Sequence, residues 1–325
     1  MKRVLMTGGT GFVGANLARR LLRDGHEVHL LVRPGYSSWR VDEIADSVRF
    51  HEVRMTDARG VASHVRRVRP EWVFHLAAYG GSSWHTELRQ MIAVNVTATS
   101  NLVNACMATG FEAFVHAGSS SEYGFKDHAP VETEWLDPNS HYAVTKAFAS
   151  QFCRYVATAH KAPICTLRLY SVYGPYEDPR RLISALIVRG ISGGWPPLVD
   201  PDIARDFVFV DDVADAFVRA ASLGNRMCGA VYNIGSGKQM RIRDAVRTVR
   251  RILNVNARPQ WNSMPNRVWD ASIWVCDHAR AQRDLGWKAQ HSFAEGVRKT
   301  AAWFRECPSR ILFYEQQGVR ASPTR

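Results

Sequence analysis

Hydrophobic positions in the first half of the chain form short continuous runs, and stretches with helical spacing lie between them. Helical spacing is clearest over residues 12–24 and 86–109. Strands that alternate with helices form right-handed βαβ units and a parallel sheet covered on both faces. We therefore predict an α/β fold built on such a sheet. The runs that we assign to its buried strands span residues 3–7, 27–32, 48–53, 72–77, 113–119 and 164–173.

The pattern changes after Gly174 and Pro175, where prolines and glycines interrupt the chain and the elements become shorter. We expect a larger first domain over residues 1–174, which also takes in about 206–235. A smaller, interleaved C-terminal α/β lobe would hold about 175–205 and 236–307. The weak periodicity of residues 308–325 predicts a loosely ordered tail. Within the second half we assign strands to 206–210 and 231–235, and helices to 211–223, 242–253, 277–285 and 292–305.

Composition narrows the class of protein. Hydrophobic residues make up 46% of the chain, which is typical of a globular protein, and no apolar stretch reaches the roughly 18–20 residues of a membrane helix. The apolar run near the N-terminus is too short for a signal peptide, so we expect a cytoplasmic protein that does not enter a membrane. Six cysteines without a C-x-x-C pair predict neither disulfides nor a metal site. The net charge of +12 is spread along the chain without an aromatic-rich basic cluster, which favours phosphorylated small molecules over nucleic acid.

A glycine-rich turn follows the first predicted strand and opens the first predicted helix. Gly8 allows a tight turn, Gly11 lets a pyrophosphate approach the backbone, and Gly14 lets the helix pack on the strand. The N–H groups and partial positive charge of the helix start suit a phosphate. The sheet is therefore expected to be a Rossmann-like, doubly wound one that binds a dinucleotide, with Thr10, Phe12 and Val13 completing the turn.

The end of the second strand bears on the choice of cofactor. A carboxylate there would bind the ribose 2′-hydroxyl of NAD, whereas an arginine would pair with the 2′-phosphate of NADP. The chain has Arg33 at this point and no acid. We expect NADP, with NAD still possible if Arg33 only stacks on the adenine.

A second motif carries acid–base chemistry. Tyr142 and Lys146 lie four residues apart on a predicted helix and so share a face. A nearby ammonium lowers the pKa of a phenol, so Tyr142 could exchange a proton with a substrate oxygen. Ser119, in the serine-rich end of the fifth strand, could hydrogen-bond the same oxygen. Together with the glycine turn, this set indicates hydride transfer on a carbonyl or an alcohol.

These motifs, with others along the chain, resemble the extended branch of the short-chain dehydrogenase/reductase family. Its nucleotide-sugar epimerases, 4,6-dehydratases and 4-ketoreductases are the members in question. The spacing of the glycines, G-x-x-G-x-x-G rather than G-x-G-x-x-G, is part of the likeness. The other segments that carry it are Asp57, residues 75–78, Asn95, residues 167–175, 205–213, 232–235 and 285–287.

The resemblance implies roles for further residues. Asp57 would contact the adenine, although an N-cap of the following helix explains it nearly as well. Arg205 and Arg267 would bind the diphosphate of a nucleotide-diphosphate sugar, since their planar forks suit its oxygens. Residues 79–85 would border the sugar, and His75 would be packed rather than catalytic. Leu76, Ala77 and Ala78 would line the cofactor channel, and Ser120, Ser121 and Ser171 would contact the substrate.

The departures from the family pattern separate the activities. Dehydratases of the family carry an acid pair after the catalytic hydroxyl residue, where this chain has Ser120 and Ser121. Only Glu122, after a shift of the loop, could replace those acids. The remaining interpretations are an NADPH-dependent 4-keto-sugar reductase, which Arg33 favours, and a nucleotide-sugar 4-epimerase. A non-enzymatic dinucleotide or RNA binder would not need the whole set of Ser119, Tyr142 and Lys146. By the same resemblance we expect a homodimer formed by helices at 86–109 and 141–160.

Overall fold

A computed structural model describes residues 1–82, 84–267 and 269–319. Its large sheet has seven parallel strands in the order β3-β2-β1-β4-β5-β6-β9, labelled in chain order. The order reverses direction between β1 and β4, which places a crevice at the carboxyl ends of these strands. The predicted Rossmann-like sheet is confirmed. Its strands are β1 (Arg3–Thr7), β2 (Glu27–Val32), β3 (Val48–Glu52), β4 (Trp72–His75), β5 (Ala113–Ser119), β6 (Ile164–Leu169) and β9 (Val231–Ile234).

Helices cover both faces of this sheet because successive strand residues point to opposite sides. On β1, Val4 and Met6 pack with one apolar cluster and Leu5 packs with another, and all three are fully buried. One face carries α1 (Phe12–Arg23), α7 (Val210–Ser222) and α9 (Ala279–Leu285). The other face carries α2 (Ala58–Val68), α4 (Ala98–Thr109) and α5 (His141–His160).

The second lobe is built on a sheet of three strands in the order β10-β8-β7. The predicted strand over residues 164–173 is broken at Tyr170, so β6 stays in the large sheet while β7 joins the small one. Likewise β8 pairs with β7 and β10, so it lies in the small lobe rather than in the first domain where we placed it. The elements are β7 (Ser171–Tyr173), α6 (Leu182–Ile191), β8 (Ala204–Phe209), β10 (Gln239–Arg241), α8 (Ile242–Leu253) and α10 (Phe293–Glu306).

The expected loosely ordered tail is wrong for residues 308–319. They form the helix α11 (Pro308–Val319), which packs against α6 and α10. Tyr314 fixes it: the side chain is only 2% exposed, and its hydroxyl donates to the carbonyl oxygen of Glu177 at 2.8 Å. Its ring also packs edge-on against Trp39 and Trp303. Residues 320–325, which the same prediction covered, lie outside the described part of the chain.

The helix predicted over residues 86–109 begins at Leu88. It consists of α3 (Leu88–Met91), a π-helical turn (Ile92–Thr97) and α4. Over Leu88–Thr109 it is long and apolar enough to cross a membrane by length and composition, contrary to our reading of the sequence. Core helices of soluble proteins can have the same length and composition, and α4 packs its buried side against α2 and α5.

Candidate active site

The glycine turn has the shape that a pyrophosphate requires. Gly8 adopts a φ of +69°, and a Cβ there would lie 2.6 Å from the backbone nitrogen of Ala77. A Cβ on Gly14 would lie 2.1 Å from the carbonyl oxygen of Gly8, so helix α1 can approach the turn only without a side chain at this position. Gly11 caps α1 without a side-chain hydrogen bond, which leaves N–H groups of the first turn for a ligand. The residues present therefore fit a dinucleotide phosphate.

The residues around the adenine end have distinct environments. Arg33 is exposed directly after β2. Arg40 is engaged elsewhere, since its Nε donates to the Tyr176 carbonyl at 2.8 Å and its guanidinium stacks on Trp39. Asp57 is the N-cap of α2 and accepts from the Gly60 N–H at 3.0 Å, as the alternative interpretation predicted.

His75 is a packed residue, as predicted. Its ring lies between the hydroxyls of Thr7 at 2.6 Å and Thr99 at 2.8 Å, and burial lowers its pKa to about 3. The hydroxyl of Thr7 also accepts from the N–H of Ala77 at 3.2 Å. The neutral ring thereby fixes the backbone that follows β4, where Leu76 and Ala78 line the cleft.

Ser119, Tyr142 and Lys146 meet at the end of β5. Tyr142 lies in the first turn of α5, which Ser140 caps through a 3.2 Å bond from the Ala143 N–H. Ser119 is the last residue of β5; its hydroxyl lies 2.7 Å from the hydroxyl of Ser121, and it also acts to lower the pKa of Tyr142. All three predicted catalytic side chains line one cleft.

The structure corrects the expected electrostatics of Tyr142. The pKa of Tyr142 is raised rather than lowered, because burial outweighs the hydrogen bond from Ser119 and the charge of Arg181. The ammonium of Lys146 is directed to the carbonyl oxygen of Ala117 at 2.6 Å and to the Nε2 of His116 at 3.3 Å. Burial lowers the pKa of Lys146 to about 8, so this lysine is a weaker source of positive charge than the sequence suggested.

Glu122 is held in a buried ion pair and cannot serve as a shifted catalytic acid. Its carboxylate lies 2.8 Å from the Nε of Arg168, and the two side chains are 0% and 3% exposed. The same carboxylate accepts from the backbone N–H of Ser119 and from the Ser150 hydroxyl, each at 2.8 Å. Its role is therefore to fix the turn that begins at Ser119. Ser120 and Ser121, in that turn, line the cleft, and their contact with the substrate stays a prediction.

Arg205 and Arg267 lie on the opposite wall of the cleft, in the small lobe, together with Asp270. Arg205 donates to the Ala204 carbonyl at 2.7 Å and pairs with the carboxylate of Asp270. That carboxylate also accepts from the backbone N–H of Arg267 at 2.8 Å. Burial lowers the pKa of both arginines, and one acid faces the two cations. This wall therefore carries a surplus of positive charge and suits an anionic ligand.

Sequence reasoning missed several charged residues of the cleft, among them Arg181 and Glu177. Arg181 donates to the carbonyl oxygen of Gly81 at 3.2 Å, and its Nε lies 3.8 Å from the carboxylate of Glu177. Burial raises the pKa of Glu177 to about 7. The only sequence signal was the run of charges around Pro179, which resembles an ordinary solvated loop.

The cleft has a volume of about 1540 Å³ and lies between the carboxyl ends of the large sheet and the small lobe. Ser171 lines it, and its contact with the substrate stays a prediction. The predicted border of the sugar pocket also lines it at residues 80–82, 84 and 85, whereas Ser83 lies outside the described residues. The arrangement can therefore hold a dinucleotide phosphate on one side, with a hydroxyl and an acid–base group in the middle and an anionic group on the other side.

Comparisons with known proteins agree with this geometry. Residues 4–235 match the model of the NAD dependent epimerase/dehydratase family. The UDP-glucose 4-epimerase of Mycolicibacterium smegmatis is 31% identical over 93% of this chain and 98% of its own length.

Two solved structures are similar over the same extent. UDP-glucose 4-epimerase from Thermotoga maritima, with UDP-glucose, has a TM-score of 0.84 at 26% identity and covers 93% of this chain and 98% of its own. The Thermus thermophilus UDP-glucose 4-epimerase complex with NAD has a TM-score of 0.82 at 29% identity, with the same coverage. The chain therefore belongs to the NAD-dependent epimerase/dehydratase family, and is an enzyme of the extended short-chain dehydrogenase/reductase type.

Proposed function

We propose that this enzyme acts at C4 of a nucleotide-diphosphate sugar, and that its net reaction is 4-epimerisation. The observation that carries the proposal is the placement of Ser119 and Tyr142 in one cleft with Arg205 and Arg267. A nucleotide sugar joins a neutral ring to a diphosphate, and the cleft offers an acid–base pair for the ring and paired arginines for the diphosphate. The epimerases among the relatives support the choice of net reaction.

Each side chain has a defined task in this proposal. The phenolate of Tyr142 takes the proton of the C4 hydroxyl, and the phenol so formed later returns it, while the Ser119 hydroxyl hydrogen-bonds the same oxygen and orients it. A nicotinamide dinucleotide, when bound at the glycine turn, supplies the acceptance and return of a hydride at C4. Lys146 would help to hold its ribose. Gly80 and Gly81 lie against the phenol ring of Tyr142 and line the cleft in which the sugar would turn.

Dehydration does not fit the same site. It needs an acid and a base beside the catalytic hydroxyl, and the side chains of Ser120 and Ser121 do not ionise near neutral pH. Glu122 already accepts three hydrogen bonds and is fully buried.

A second candidate, the 4-keto-sugar reductase, is favoured by Arg33. A guanidinium beside the adenine ribose would pair with the 2′-phosphate of NADP, the usual cofactor of such reductases. We propose that Arg33 lets the enzyme accept NADP as well as NAD. Arg33→Ala is expected to weaken NADP binding about tenfold or more and to leave NAD binding within about twofold. Equal losses for both dinucleotides would contradict this role.

One experiment separates the two activities. The purified enzyme is denatured, any released dinucleotide is identified by mass spectrometry, and fresh enzyme is given UDP-glucose without added cofactor. Interconversion of the C4 epimers supports the epimerase. Consumption of one NADPH for each 4-keto sugar, with no epimerisation, supports the reductase instead. Absence of both reactions across UDP-, dTDP- and GDP-sugars would overturn the proposal.

The acid–base assignment has its own test. Tyr142→Phe removes one hydroxyl and is expected to lower kcat by about 10²–10⁴-fold. Tyr155→Phe is the matched control, because Tyr155 lies on the same helix with 66% exposure. Full turnover by Tyr142→Phe would show that the phenol is not the acid–base group.

We further propose that the enzyme is a homodimer. An apolar face remains exposed on the Leu88–Thr109 helix and on α5, although exposed hydrophobic side chains are ordinarily scattered singly. Phe148 stacks on Phe152 at a ring separation of 6.0 Å within this face. A second copy of the same helices would cover it. Its exposed members are Leu88, Ile92, Val144, Phe148 and Tyr155.

A further inference from the structure

We infer that Arg181 is a positioning residue for Tyr142, which it reaches from the small lobe through the backbone of Gly80 and Gly81. The inference rests on the proposed function, since it names a residue that prepares the proposed acid–base group. It concerns a side chain that lies outside the pattern of Ser119, Tyr142 and Lys146.

The segment formed by Gly80 and Gly81 lies against the phenol of Tyr142. Gly80 has a φ of +108°, and a Cβ on it would lie 2.9 Å from Cδ2 of Tyr142. A Cβ on Gly81 would lie 3.6 Å from the phenolic oxygen. The main chain of these two residues therefore lies directly on the ring, and any displacement of it changes the space around the hydroxyl.

A hydrogen bond from Arg181 holds that segment. Arg181 is the N-cap residue of α6, in the small lobe, and its Nη1 donates to the Gly81 carbonyl at 3.2 Å. On its other side its Nε faces the buried carboxylate of Glu177 at 3.8 Å, and the Ser184 hydroxyl donates to that carboxylate at 3.0 Å. Arg181 thus joins the small lobe to the segment that covers Tyr142.

Arg181 also acts on Tyr142 through its positive charge. Arg181 is the cation that lowers the pKa of Tyr142, opposing burial, and it also lowers the pKa of Arg205 and Arg267. Lys146 does not take this part, since its ammonium points to the Ala117 carbonyl. The guanidinium of Arg181 therefore lies close enough to the proposed diphosphate site and to the acid–base group to act on both. With 39% of its side chain exposed, its effect is moderated by solvent.

The test compares Arg181→Gln and Arg181→Lys with the control Arg243→Gln. Arg243 lies in the same lobe, is 37% exposed and pairs with Asp202 away from the cleft, so the control removes the same charge at a similar depth. The phenolate absorbance of each protein is titrated, and the same titration in a Tyr142→Phe background is subtracted to isolate Tyr142. The midpoint is expected to rise by about half a pH unit in Arg181→Gln and to stay near the parent value in Arg181→Lys and in the control.

Kinetics provide the second readout. The limb of the kcat profile that rises with pH should move to higher pH by the same amount in Arg181→Gln. At a fixed pH on that limb, kcat should be about threefold lower than in the parent enzyme. An unchanged titration midpoint, or a higher KM with an unmoved pH profile, would overturn the inference. If the parent enzyme turns over no nucleotide sugar, the proposed function fails, while the titration still decides whether Arg181 acts on Tyr142.

Discussion

Breaking the ion pair between Glu122 and Arg168 by removing one partner should cost far more stability than breaking an ion pair on the surface. Arg168→Met leaves a carboxylate with no exposure and no cation, a change that costs about 3–5 kcal/mol in proteins. Glu122→Gln leaves the Arg168 guanidinium buried without its carboxylate partner, although its bonds to the Tyr123 hydroxyl and the Glu132 carbonyl remain. Each single change is therefore expected to lower the free energy of unfolding by about 3–5 kcal/mol.

The double variant Glu122→Gln/Arg168→Met removes both charges and should lose less than the sum of the single variants, by about 2–3 kcal/mol. Unfolding in urea, followed by far-ultraviolet circular dichroism at pH 7, measures all three. Arg20→Met is the control, since it breaks solvent-accessible pairs with Asp24 and Asp215, and it should cost less than about 1 kcal/mol. A loss in Arg168→Met no larger than in this control, or strictly additive losses in the cycle, would show that the buried pair does not stabilise the turn.

Three further outcomes are expected. Gly14→Ala should abolish dinucleotide binding in isothermal titration calorimetry, because the added Cβ would meet the Gly8 carbonyl oxygen at 2.1 Å; binding within tenfold of the parent would contradict the proposed phosphate site. Since burial lowers the pKa of Lys146 to about 8, its ammonium is lost as the pH rises through that value, so dinucleotide affinity should fall between about pH 7 and 9. Lys146→Met should bind weakly at both ends of this range, and a pH dependence like that of the parent would exclude Lys146 as its source. Phe148→Glu places a charge in the exposed apolar face and should yield a monomer in size-exclusion chromatography with light scattering, whereas Arg251→Glu, on α8, should not change the oligomeric state.

Local patterns were sufficient to predict the cofactor side of the site. The glycine turn depends on backbone geometry within a strand, a turn and a helix that follow each other in sequence. Likewise, Tyr142 and Lys146 share a face through helix periodicity alone, and Ser119 follows directly from the end of its strand. These residues lie where the sequence placed them because few distant contacts decide their position.

The parts that were mispredicted depend on contacts between distant residues. The helix at the C-terminal end has weak periodicity of its own, and its order comes from Tyr314 packing on Trp39 and Trp303. The break of the predicted strand at Tyr170 reflects the presence of two sheets, which a continuous apolar run cannot reveal. Arg181 could not be assigned because its partner, the Gly81 carbonyl, lies 100 residues away in the chain.

The buried carboxylate of Glu122 also bears on how binding energy is used. Because it accepts from the Ser119 N–H and is locked by Arg168, the backbone that carries the proposed catalytic hydroxyl is held in place by the folded chain rather than by the ligand. A substrate that enters the cleft therefore has little backbone entropy to remove at this turn. Under the proposed function, the reacting oxygen would meet a dipole whose reorganisation was completed when the protein folded.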